Sequence, residues 1–281
     1  MCDGARSNGT SVGFVPTMGA FHAGHRSLMR AARTEHGLVV VSIFVNPLQF
    51  GETSDLERYP RDEAGDLEIA TAEGVDVVFA PDAGEMYPEG EPVVTVDPGP
   101  LGERFEGASR PGHFRGVATV VANLLHAVGP CTAYLGEKDA QQLAIVRRMV
   151  RDLSFPVEVV SCPVVREPDG LACSSRNALL SSEQREAAAC LFLALSEAAE
   201  LARGGERDAA TLVAVMAREI GATPQAALDH VAVVDEETFE AVDTIEQPAR
   251  ALVAARFGDV RLIDTLVLPK PDGSTPRLPM L

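Results

Sequence analysis

The chain has 281 residues, of which 46% are hydrophobic and 23% charged, so it can bury a substantial core and is neither disordered nor fibrous in composition. Its 41 acidic and 24 basic residues give a formal net charge of −17, which argues against nucleic-acid backbones and anionic membranes as partners. Five cysteines without C-x-x-C spacing, no bilayer-length apolar run and no N-terminal signal core predict a cytoplasmic protein without a structural zinc.

Apolar runs and helical stretches alternate along the first part of the chain. Strands are predicted at 12–16, 38–45, 75–81, 131–136 and 157–163, with helices between them at 25–36, 62–73, 113–128 and 139–152. Five strands separated by helices indicate a doubly wound, parallel α/β sheet of the Rossmann-like type. Ligands of such sheets bind outside the carboxyl ends of the strands, so the residues that follow each strand are the candidates for chemistry.

The pattern changes after Asn177. Helices are predicted at 181–203 and 209–220, and closely spaced strands at 230–235, 249–257 and 261–269, without crossover helices between them. This spacing predicts a small antiparallel sheet, and hence a second, α+β domain. We therefore expect a larger domain over residues 1–178 and a smaller one over 179–281.

Two histidines follow the first strand, in PTMGAFHAGHRSL. His22 and His25 flank Gly24 where a loop becomes a helix, and a helix N-terminus already presents N–H groups to an anion. Gly24 would let a phosphate approach the backbone. The H-x-G-H pattern is typical of class I nucleotidylyltransferases and aminoacyl-tRNA synthetases, although two histidines near a turn are often only surface residues. Its position after the first strand favours phosphate binding.

Two amides follow the second strand, in FVNPLQFG. Asn46 and Gln49 would lie at the carboxyl edge of the sheet, beside the histidines. Neutral amides suit the recognition of hydroxyls and carboxylates. Equally, Asn46-Pro47 can be read as a plain turn.

The fourth strand leads into GEKDAQQL. Lys138 and Lys270 are the only lysines in a chain that otherwise uses arginine, and Lys270, near the C-terminus, we attribute to chance. A compact ammonium at position 138 can meet the charge that builds up during phosphoryl transfer, and Asp139 can accept from ribose hydroxyls. Gln142 follows one helical turn later. The alternative is an N-cap aspartate beside a solvated lysine.

A third group precedes the helix at 181–203. Ser174, Ser175 and Arg176 could be an ordinary helix start, which serine favours. Two hydroxyls and a guanidinium also form a clip that can close on phosphates.

Ordered motifs along the chain resemble those of the pantothenate synthetase (pantoate–beta-alanine ligase) family. They are PTMGAFHAGH, VSIFVNPLQFG, DLERYPR, EMYP, EGASRPGHFRGVATVV, GEKDAQQL, MVRDL, VREPDGL and SSRN between residues 12 and 182, followed by RLID at 261–264. The resemblance implies that pantoate attacks the α-phosphate of Mg-ATP to give pantoyl adenylate and pyrophosphate. β-Alanine then attacks the adenylate, which gives pantothenate and AMP.

The resemblance also implies roles for individual residues and a homodimer. ATP would be bound by Met18, His22, His25, Gly136, Lys138, Asp139, Val165, Cys173, Ser174, Ser175 and Arg176, with His25, Lys138 and Arg176 as catalytic residues. Pantoate would be held by Gln49 and Gln142 with Asn46 nearby, and Asp66 is the candidate magnesium ligand. The smaller domain would act as a lid that swings about residues 177–182 and protects the adenylate from water.

The chain departs from the family pattern at several positions. Asn123 stands where lysine is common, Cys173 where methionine is common and Thr265 where asparagine is common, while Gly65 replaces a second acidic residue of some members. The family also has about one more strand and helix before the first strand predicted here. Two other functions stay open: a different class I nucleotidylyltransferase, and a nucleotide-binding protein with weak catalysis.

Overall fold

The computed structural model describes residues 1–51 and 53–269, without the side chains of residues 53–55, so Lys270 lies outside the described residues. The chain forms two compact units. The first comprises Met1–Gly136 and Gln141–Cys162, and the second comprises Glu137–Ala140 and Pro163–Leu281. The units thus divide earlier in the chain than the domain boundary at residues 178 and 179, which stays a prediction.

A five-stranded sheet forms the centre of the first unit. Its strands are β1 (Val12–Thr17), β2 (Leu38–Ile43), β3 (Val77–Phe79), β4 (Cys131–Gly136) and β5 (Val157–Cys162). Their order is β3-β2-β1-β4-β5, and every neighbouring pair is parallel. The predicted doubly wound α/β sheet is confirmed. The strand order reverses between β1 and β4, which is where ligands of such sheets bind.

Helices precede and connect these strands, and the four that the sequence predicts are those over Ala23–Glu35, Glu63–Ala72, His113–Val128 and Ala140–Asp152. In chain order the helices are α1 (Cys2–Ser7), α2 (Ala23–Glu35), α3 (Thr53–Arg58), α4 (Glu63–Ala72), α5 (Ala83–Met86), α6 (Glu106–Ser109), α7 (His113–Val128) and α8 (Ala140–Asp152), with 3₁₀ turns at Pro47–Gln49, Gly99–Gly102 and Glu137–Asp139. Helix α1 occupies the segment before β1, where Arg6 donates to the carbonyls of Val128 and Pro130, at 3.0 Å each.

The strands are apolar on both faces because helices cover both faces of the sheet. Phe14 and Val15 are adjacent in β1 and both completely buried, yet they belong to separate hydrophobic clusters. Phe14 packs in the cluster that contains Leu125 of α7, and Val15 packs with Met29 of α2. This burial explains why the strands read as continuous apolar runs.

The second unit is an α+β structure. It contains the helices α9 (Ser182–Ala187), α10 (Cys190–Arg203) and α11 (Ala209–Gly221), a 3₁₀ turn at Ser175–Leu179, and the strands β6 (Ala227–Asp235), β7 (Ala249–Phe257) and β8 (Val260–Val267). The strands form an antiparallel sheet in the order β6-β7-β8, as predicted. Its core joins Leu195 of α10 and Met216 of α11 to Val253 of β7.

The predicted single helix over 181–203 is two helices. Ala188 and Ala189 separate them, with φ/ψ of −62°/−20° and −59°/−20°. These values have 3₁₀ geometry, so the chain tightens for one turn between α9 and α10. None of the described helices is long and apolar enough to cross a membrane.

Candidate active site

The side chains of His22 and His25 cap the N-terminus of α2. The Nδ1 atom of His22, the N-cap residue, accepts from the N–H of Gly24 at 3.1 Å, and Nδ1 of His25 accepts from the N–H of His22 at 3.4 Å. The two imidazoles therefore form a capping box, with their ring centroids 4.2 Å apart. Because each Nδ1 accepts a hydrogen bond, each neutral ring carries its proton on Nε2, the polarity that a phosphate oxygen requires.

Gly24 is explained by the same geometry. A Cβ atom at this position would lie 2.9 Å from Cε1 and 3.0 Å from Nδ1 of His22. The missing side chain therefore makes room for the imidazole of His22, a nearer reason than the approach of a phosphate that the sequence alone suggests.

The loop between β1 and α2 adopts a left-handed backbone at two successive residues. Gly19 has φ 77° and Ala20 has φ 52°, which is a strained value for alanine. Asp66 of α4 holds this loop, since Oδ2 accepts from the N–H of Ala20 at 2.8 Å and Oδ1 from that of Phe21 at 2.6 Å. A Cβ atom at position 19 would lie 2.7 Å from Oδ2 of Asp66, so the carboxylate and a glycine are matched here.

Asp66, the candidate magnesium ligand, contacts the backbone with both oxygens of its carboxylate. Its side chain is buried, with 3% of the residue exposed, and each carboxylate oxygen is hydrogen-bonded to the backbone. Burial raises the pKa of Asp66, while the two backbone hydrogen bonds oppose that rise. In the part of the chain that the structure describes, no group of three or more His, Cys, Asp or Glu residues is arranged to hold a metal ion. Asp66 is therefore an anchor for the loop that leads to His22.

Three of the predicted site residues contact one another beyond the ends of β1 and β2. Asn46 is completely buried, and its Nδ2 donates to Oε1 of Gln49 at 3.1 Å. Nε2 of Gln49 donates to the sulfur of Met18 at 2.9 Å. Asn46 also caps the Pro47–Gln49 turn, because its Oδ1 accepts from the N–H of Leu48 at 3.3 Å. The turn reading of this segment is thus confirmed, and the binding role of Asn46 and Gln49 stays a prediction.

Residues with no role predicted from the sequence surround this cluster. The hydroxyl of Tyr87 donates to Oδ1 of Asn46 at 2.9 Å, and burial raises the pKa of Tyr87 to about 12. His113 and Arg110 both contact the carbonyl oxygen of Gln49, at 2.8 Å and 3.3 Å. Tyr87 belongs to EMYP and the other two to RPGHF, so the motifs were visible but their partners are distant in sequence.

Helix α8 carries two adjacent glutamines with different roles. Gln141 is buried, and its Nε2 donates to the carbonyls of Leu101 and Arg104 at 2.9 and 2.8 Å, while its Oε1 accepts from the N–H of Glu106 at 3.1 Å. Gln141 therefore attaches the segment that precedes α7 to helix α8. Gln142, the predicted pantoate ligand, is partly exposed.

In the second unit, Lys138 lies in the 3₁₀ turn that follows β4. Its side chain is 20% exposed, and Nζ lies 3.6 Å from Oδ1 of Asp139. The neighbouring Glu137 pairs at 3.3 Å with Arg250 of β7, a buried arginine that also binds Glu236 at 2.7 Å. A buried cation thus holds the turn that carries Lys138.

The predicted phosphate clip is part of an ordered loop of the second unit. The N–H of Cys173 donates to the carbonyl of Val165 at 2.9 Å, and the hydroxyl of Ser174 accepts from the N–H of Arg176 at 3.3 Å. Ser175 begins the 3₁₀ turn that follows. Because Cys173 uses its backbone here, this contact does not depend on the side chain that departs from the family pattern.

An ion pair attaches this loop to β8. Arg166 donates to both carboxylate oxygens of Asp264, at 2.5 and 3.0 Å, and also to the carbonyl of Thr265 at 3.1 Å. Asp264 is fully buried, which raises its pKa, while the charges of Arg166 and Lys138 lower it. This pair gives a structural role to the RLID motif. The hydroxyl of Thr265 donates to the carbonyl of Ala251 at 2.8 Å, so the threonine is satisfied within the sheet.

Comparisons with known proteins all match the same protein family. The family model described as pantoate-beta-alanine ligase matches residues 1–267. The pantothenate synthetase of Rubrobacter xylanophilus is 54% identical over 271 residues, which cover 94% of this chain and 93% of that protein, and the one of Acidothermus cellulolyticus is 54% identical over 265 residues, with 93% and 86% covered.

Solved structures give the same result. The pantothenate synthetase from Thermus thermophilus has a TM-score of 0.87 and 52% identity, over 91% of this chain and 92% of that one. The pantoate-beta-alanine ligase from Francisella tularensis, complexed with beta-gamma ATP and beta-alanine, has a TM-score of 0.77 and 34% identity, over 95% and 94% of the two chains.

Proposed function

This chain belongs to the pantoate-beta-alanine ligase family, whose members form pantothenate in an ATP-dependent reaction, and we propose that it does so through a pantoyl adenylate. It is thus an ATP-dependent ligase that joins pantoate and β-alanine by an amide bond. In the first step a carboxylate oxygen of pantoate bonds to the α-phosphorus and pyrophosphate leaves. In the second step the neutral amine of β-alanine attacks the acyl carbon, AMP leaves, and the amine loses a proton.

The observation that carries the adenylation step is the histidine capping box at α2. Both imidazoles use Nδ1 to cap the helix, so the Nε2–H group of each is the donor that can bind phosphate oxygens at a helix N-terminus. We propose that His22 and His25 bind the ATP phosphates in this way, with His25 stabilising the charge of the transition state.

We propose that residues of the second unit bind the same nucleotide. Lys138 and Arg176 would stabilise the phosphate charge during adenylation, and the hydroxyls of Ser174 and Ser175 would bind phosphate oxygens. Ribose would be recognised by Asp139 and the backbone of Gly136, while Met18 and the backbones of Val165 and Cys173 would line the site. The ordered backbone contacts of Val165 with Cys173 and of Ser174 with Arg176 support a preformed loop.

Pantoate would be bound by neutral amides. Gln49 presents its Nε2 on the side of Met18, and Gln142 is partly exposed on α8. Amide donors suit a substrate that carries a carboxylate and hydroxyls but no phosphate. A phosphorylated acceptor would need more positive charge, which argues against the alternative nucleotidylyltransferase.

Magnesium would enter as the Mg-ATP complex. Mg²⁺ in nucleotide enzymes is held largely by phosphate oxygens and water, which compensates for the absence of a carboxylate cage among the described residues. We assign no magnesium bond to Asp66, because its oxygens hold the loop at Ala20 and Phe21.

We also propose that the protein is a homodimer. Val93 and Val94 are 100% and 86% exposed in the segment before α6, and adjacent exposed valines are unfavourable in water. The double variant Val93→Asp/Val94→Asp should lower the mass in light scattering from about twice 29.8 kDa to that of one chain. Leu153→Asp, at another exposed apolar residue, is the matched control. A wild-type protein of one-chain mass at working concentration would rule out the dimer.

The lid role of residues 179–281 remains part of the proposal, because an acyl adenylate hydrolyses readily and gains from the exclusion of water. Hydrogen exchange at residues 177–182 should slow when ATP and pantoate are both present. Unchanged exchange in the adenylate-forming enzyme would argue for a static second domain.

An isotope exchange experiment tests the reaction itself. Labelled pyrophosphate should enter ATP when pantoate is present and β-alanine is absent, because adenylation is then reversible. AMP should accumulate in turnover only when β-alanine is added. Exchange that requires β-alanine would contradict a separate adenylation step, and a lack of any exchange or turnover would favour a weakly catalytic nucleotide-binding protein.

A further inference from the structure

We propose that Tyr87 and Asn46 are positioning residues that turn the amide of Gln49 so that its NH₂ group, and not its carbonyl, faces the acid substrate. The inference rests on the proposed function in one respect, namely that Gln49 binds pantoate. It assigns a role to the EMYP and RPGHF motifs, which the reaction scheme leaves without one.

The orientation of the Asn46 amide is fixed by backbone groups. Its Nδ2 lies 3.2 Å from the carbonyl oxygen of Gly116, which can only accept a hydrogen bond. Its Oδ1 lies 3.3 Å from the N–H of Leu48, which can only donate. Reversing the amide would place two acceptors together on one side and two donors on the other. Oxygen and nitrogen of Asn46 are therefore assigned by chemistry.

The orientation of Gln49 follows from that of Asn46. The second N–H of the Asn46 amide points to Gln49 at 3.1 Å, so the atom that receives it must be Oε1. Nε2 is then on the other side of the Gln49 amide, 2.9 Å from the sulfur of Met18. Sulfur is a weak acceptor, so an incoming carboxylate or hydroxyl oxygen would be a better partner for this NH₂ group.

The main chain of Gln49 is fixed as well. Its carbonyl oxygen accepts from Nδ1 of His113 at 2.8 Å, which requires the proton of that imidazole on Nδ1. Nε2 of His113 lies 3.2 Å from Arg110, whose guanidinium can only donate, so the neutral tautomer agrees with both neighbours. Backbone and side chain of Gln49 thus have separate supports.

Helix α7 packs so closely against the Pro47–Gln49 turn that there is no room for a side chain at the contact. A Cβ atom at Gly116 would lie 2.3 Å from the carbonyl oxygen of Leu48. Glycine is therefore required for Gly116 to come close enough to accept from Asn46. The Pro47–Gln49 turn and the first turns of α7 form one hydrogen-bonded arrangement around the buried amide.

Tyr87 completes the set of partners of Asn46. Its hydroxyl donates to Oδ1 at 2.9 Å, so both hydrogens of Nδ2 and two acceptor positions of Oδ1 are used within the protein. Asn46 consequently acts on the substrate through Gln49, and its predicted place near pantoate becomes a positioning role. The Tyr87 ring packs edge-on against Phe44, with centroids 6.0 Å apart, so the ring can keep its place without the hydroxyl.

The first test removes the hydroxyl alone. Tyr87→Phe should lower kcat/KM for pantoate by about twofold to tenfold, the factor expected for one buried hydrogen bond, and should leave KM for ATP within twofold. Tyr134→Phe is the matched control, because the Tyr134 hydroxyl is also buried and donates to Glu35, which belongs to no proposed binding group. It should leave both constants within twofold.

A double-mutant cycle separates positioning from a general structural effect. In the Gln49→Ala background, Tyr87→Phe should change kcat/KM for pantoate by less than twofold, because the group through which it acts is gone. An equal loss in both backgrounds, or no loss in either, would overturn the inference. If Gln49→Ala alone leaves kcat/KM for pantoate unchanged, the proposed pantoate site is wrong, which is a different failure.

Gln49→Glu tests the polarity directly and does not depend on Tyr87 variants folding. One carboxylate oxygen can still accept from Asn46, so the other must replace the NH₂ group that faces the substrate. Gln49→Glu should therefore lower kcat/KM for pantoate more than Gln49→Ala does. If the glutamate variant is the more active of the two, the substrate side of Gln49 is an acceptor and the inference fails.

Discussion

Replacing Asp66 by asparagine tests whether this carboxylate anchors a loop or binds magnesium. The side chain keeps its shape, but one of the two oxygens that accept from Ala20 and Phe21 becomes an NH₂ group that faces an N–H. The left-handed loop before His22 then loses one charge-assisted hydrogen bond, and the remaining hydrogen bond has an uncharged acceptor.

The magnitude follows from the contacts. A hydrogen bond to a charged group contributes about 1.5–3 kcal/mol, so we expect Asp66→Asn to lower the free energy of unfolding by about 2 kcal/mol. With about 2.1 cal/mol/K of unfolding entropy per residue, this corresponds to a decrease of about 3–4 °C in Tm for a chain of 281 residues. Because the loop leads into the histidine capping box, KM for ATP should rise, while the magnesium concentration for half-maximal activity should stay the same at saturating nucleotide.

Thermal unfolding and a magnesium titration of the same variant give the answer. Asp62→Asn is the control, since Asp62 caps α4 through Gly65 and asparagine is an equally good N-cap. It should change neither Tm nor the nucleotide constants. If Asp66→Asn has the Tm of the wild type and needs a tenfold higher magnesium concentration, Asp66 binds magnesium and does not anchor the loop.

Three further predictions concern Lys138, Arg166 and His36. Lys138→Ala should lower the adenylation rate by a factor of about 10²–10³ in single-turnover measurements, and should weaken the binding of preformed pantoyl adenylate less. An adenylation rate within a few-fold of wild type would exclude a catalytic role of Lys138. Arg166→Met leaves the buried Asp264 unpaired and should cost about 3–5 kcal/mol in denaturant unfolding, whereas a loss below about 1 kcal/mol would show that the pair is dispensable. Burial lowers the pKa of His36 from 6.5, so the free energy of unfolding is highest above pH 6.5 and falls as the pH drops below it. Between pH 7 and 5, the free energy of unfolding of His36→Gln should therefore depend less on pH than that of the wild type. Parallel curves for the two proteins would contradict a lowered pKa of His36.

The sequence predicts the first unit well where local periodicity carries the information. The apolar runs around Phe14 and Val40 predict β1 and β2, because both faces of these strands are buried. Helix α7 begins and ends at the predicted residues, His113 and Val128. The placement of His22 and His25 at the N-terminus of α2 is also confirmed.

Contacts between distant segments could not be predicted in this way. Asp66 lies 46 positions from Ala20, and Tyr87 lies 41 positions from Asn46, so no local pattern links them. The pair of Arg166 with Asp264 spans 98 positions. The motifs that contain Tyr87, Arg166 and Asp264 are visible in the sequence, while the role of each residue depends on a partner that only the folded chain brings near.

Short-range geometry accounts for the remaining differences. The break between α9 and α10 depends on two alanines, which are strong helix formers and give no sign of an interruption. Gly24 makes room for a side chain of its own loop, a contact that spacing does not reveal. Such details follow from packing and not from composition.

Oxygen transfer from pantoate to AMP tests the central claim most directly. Pantoate labelled with ¹⁸O in its carboxylate should give AMP that contains one ¹⁸O atom, because the carboxylate oxygen that attacks the α-phosphorus leaves with AMP when β-alanine attacks the acyl carbon. Mass spectrometry of the AMP from one round of turnover reads the result. AMP without the label, formed together with pantothenate, would contradict a pantoyl adenylate as the intermediate.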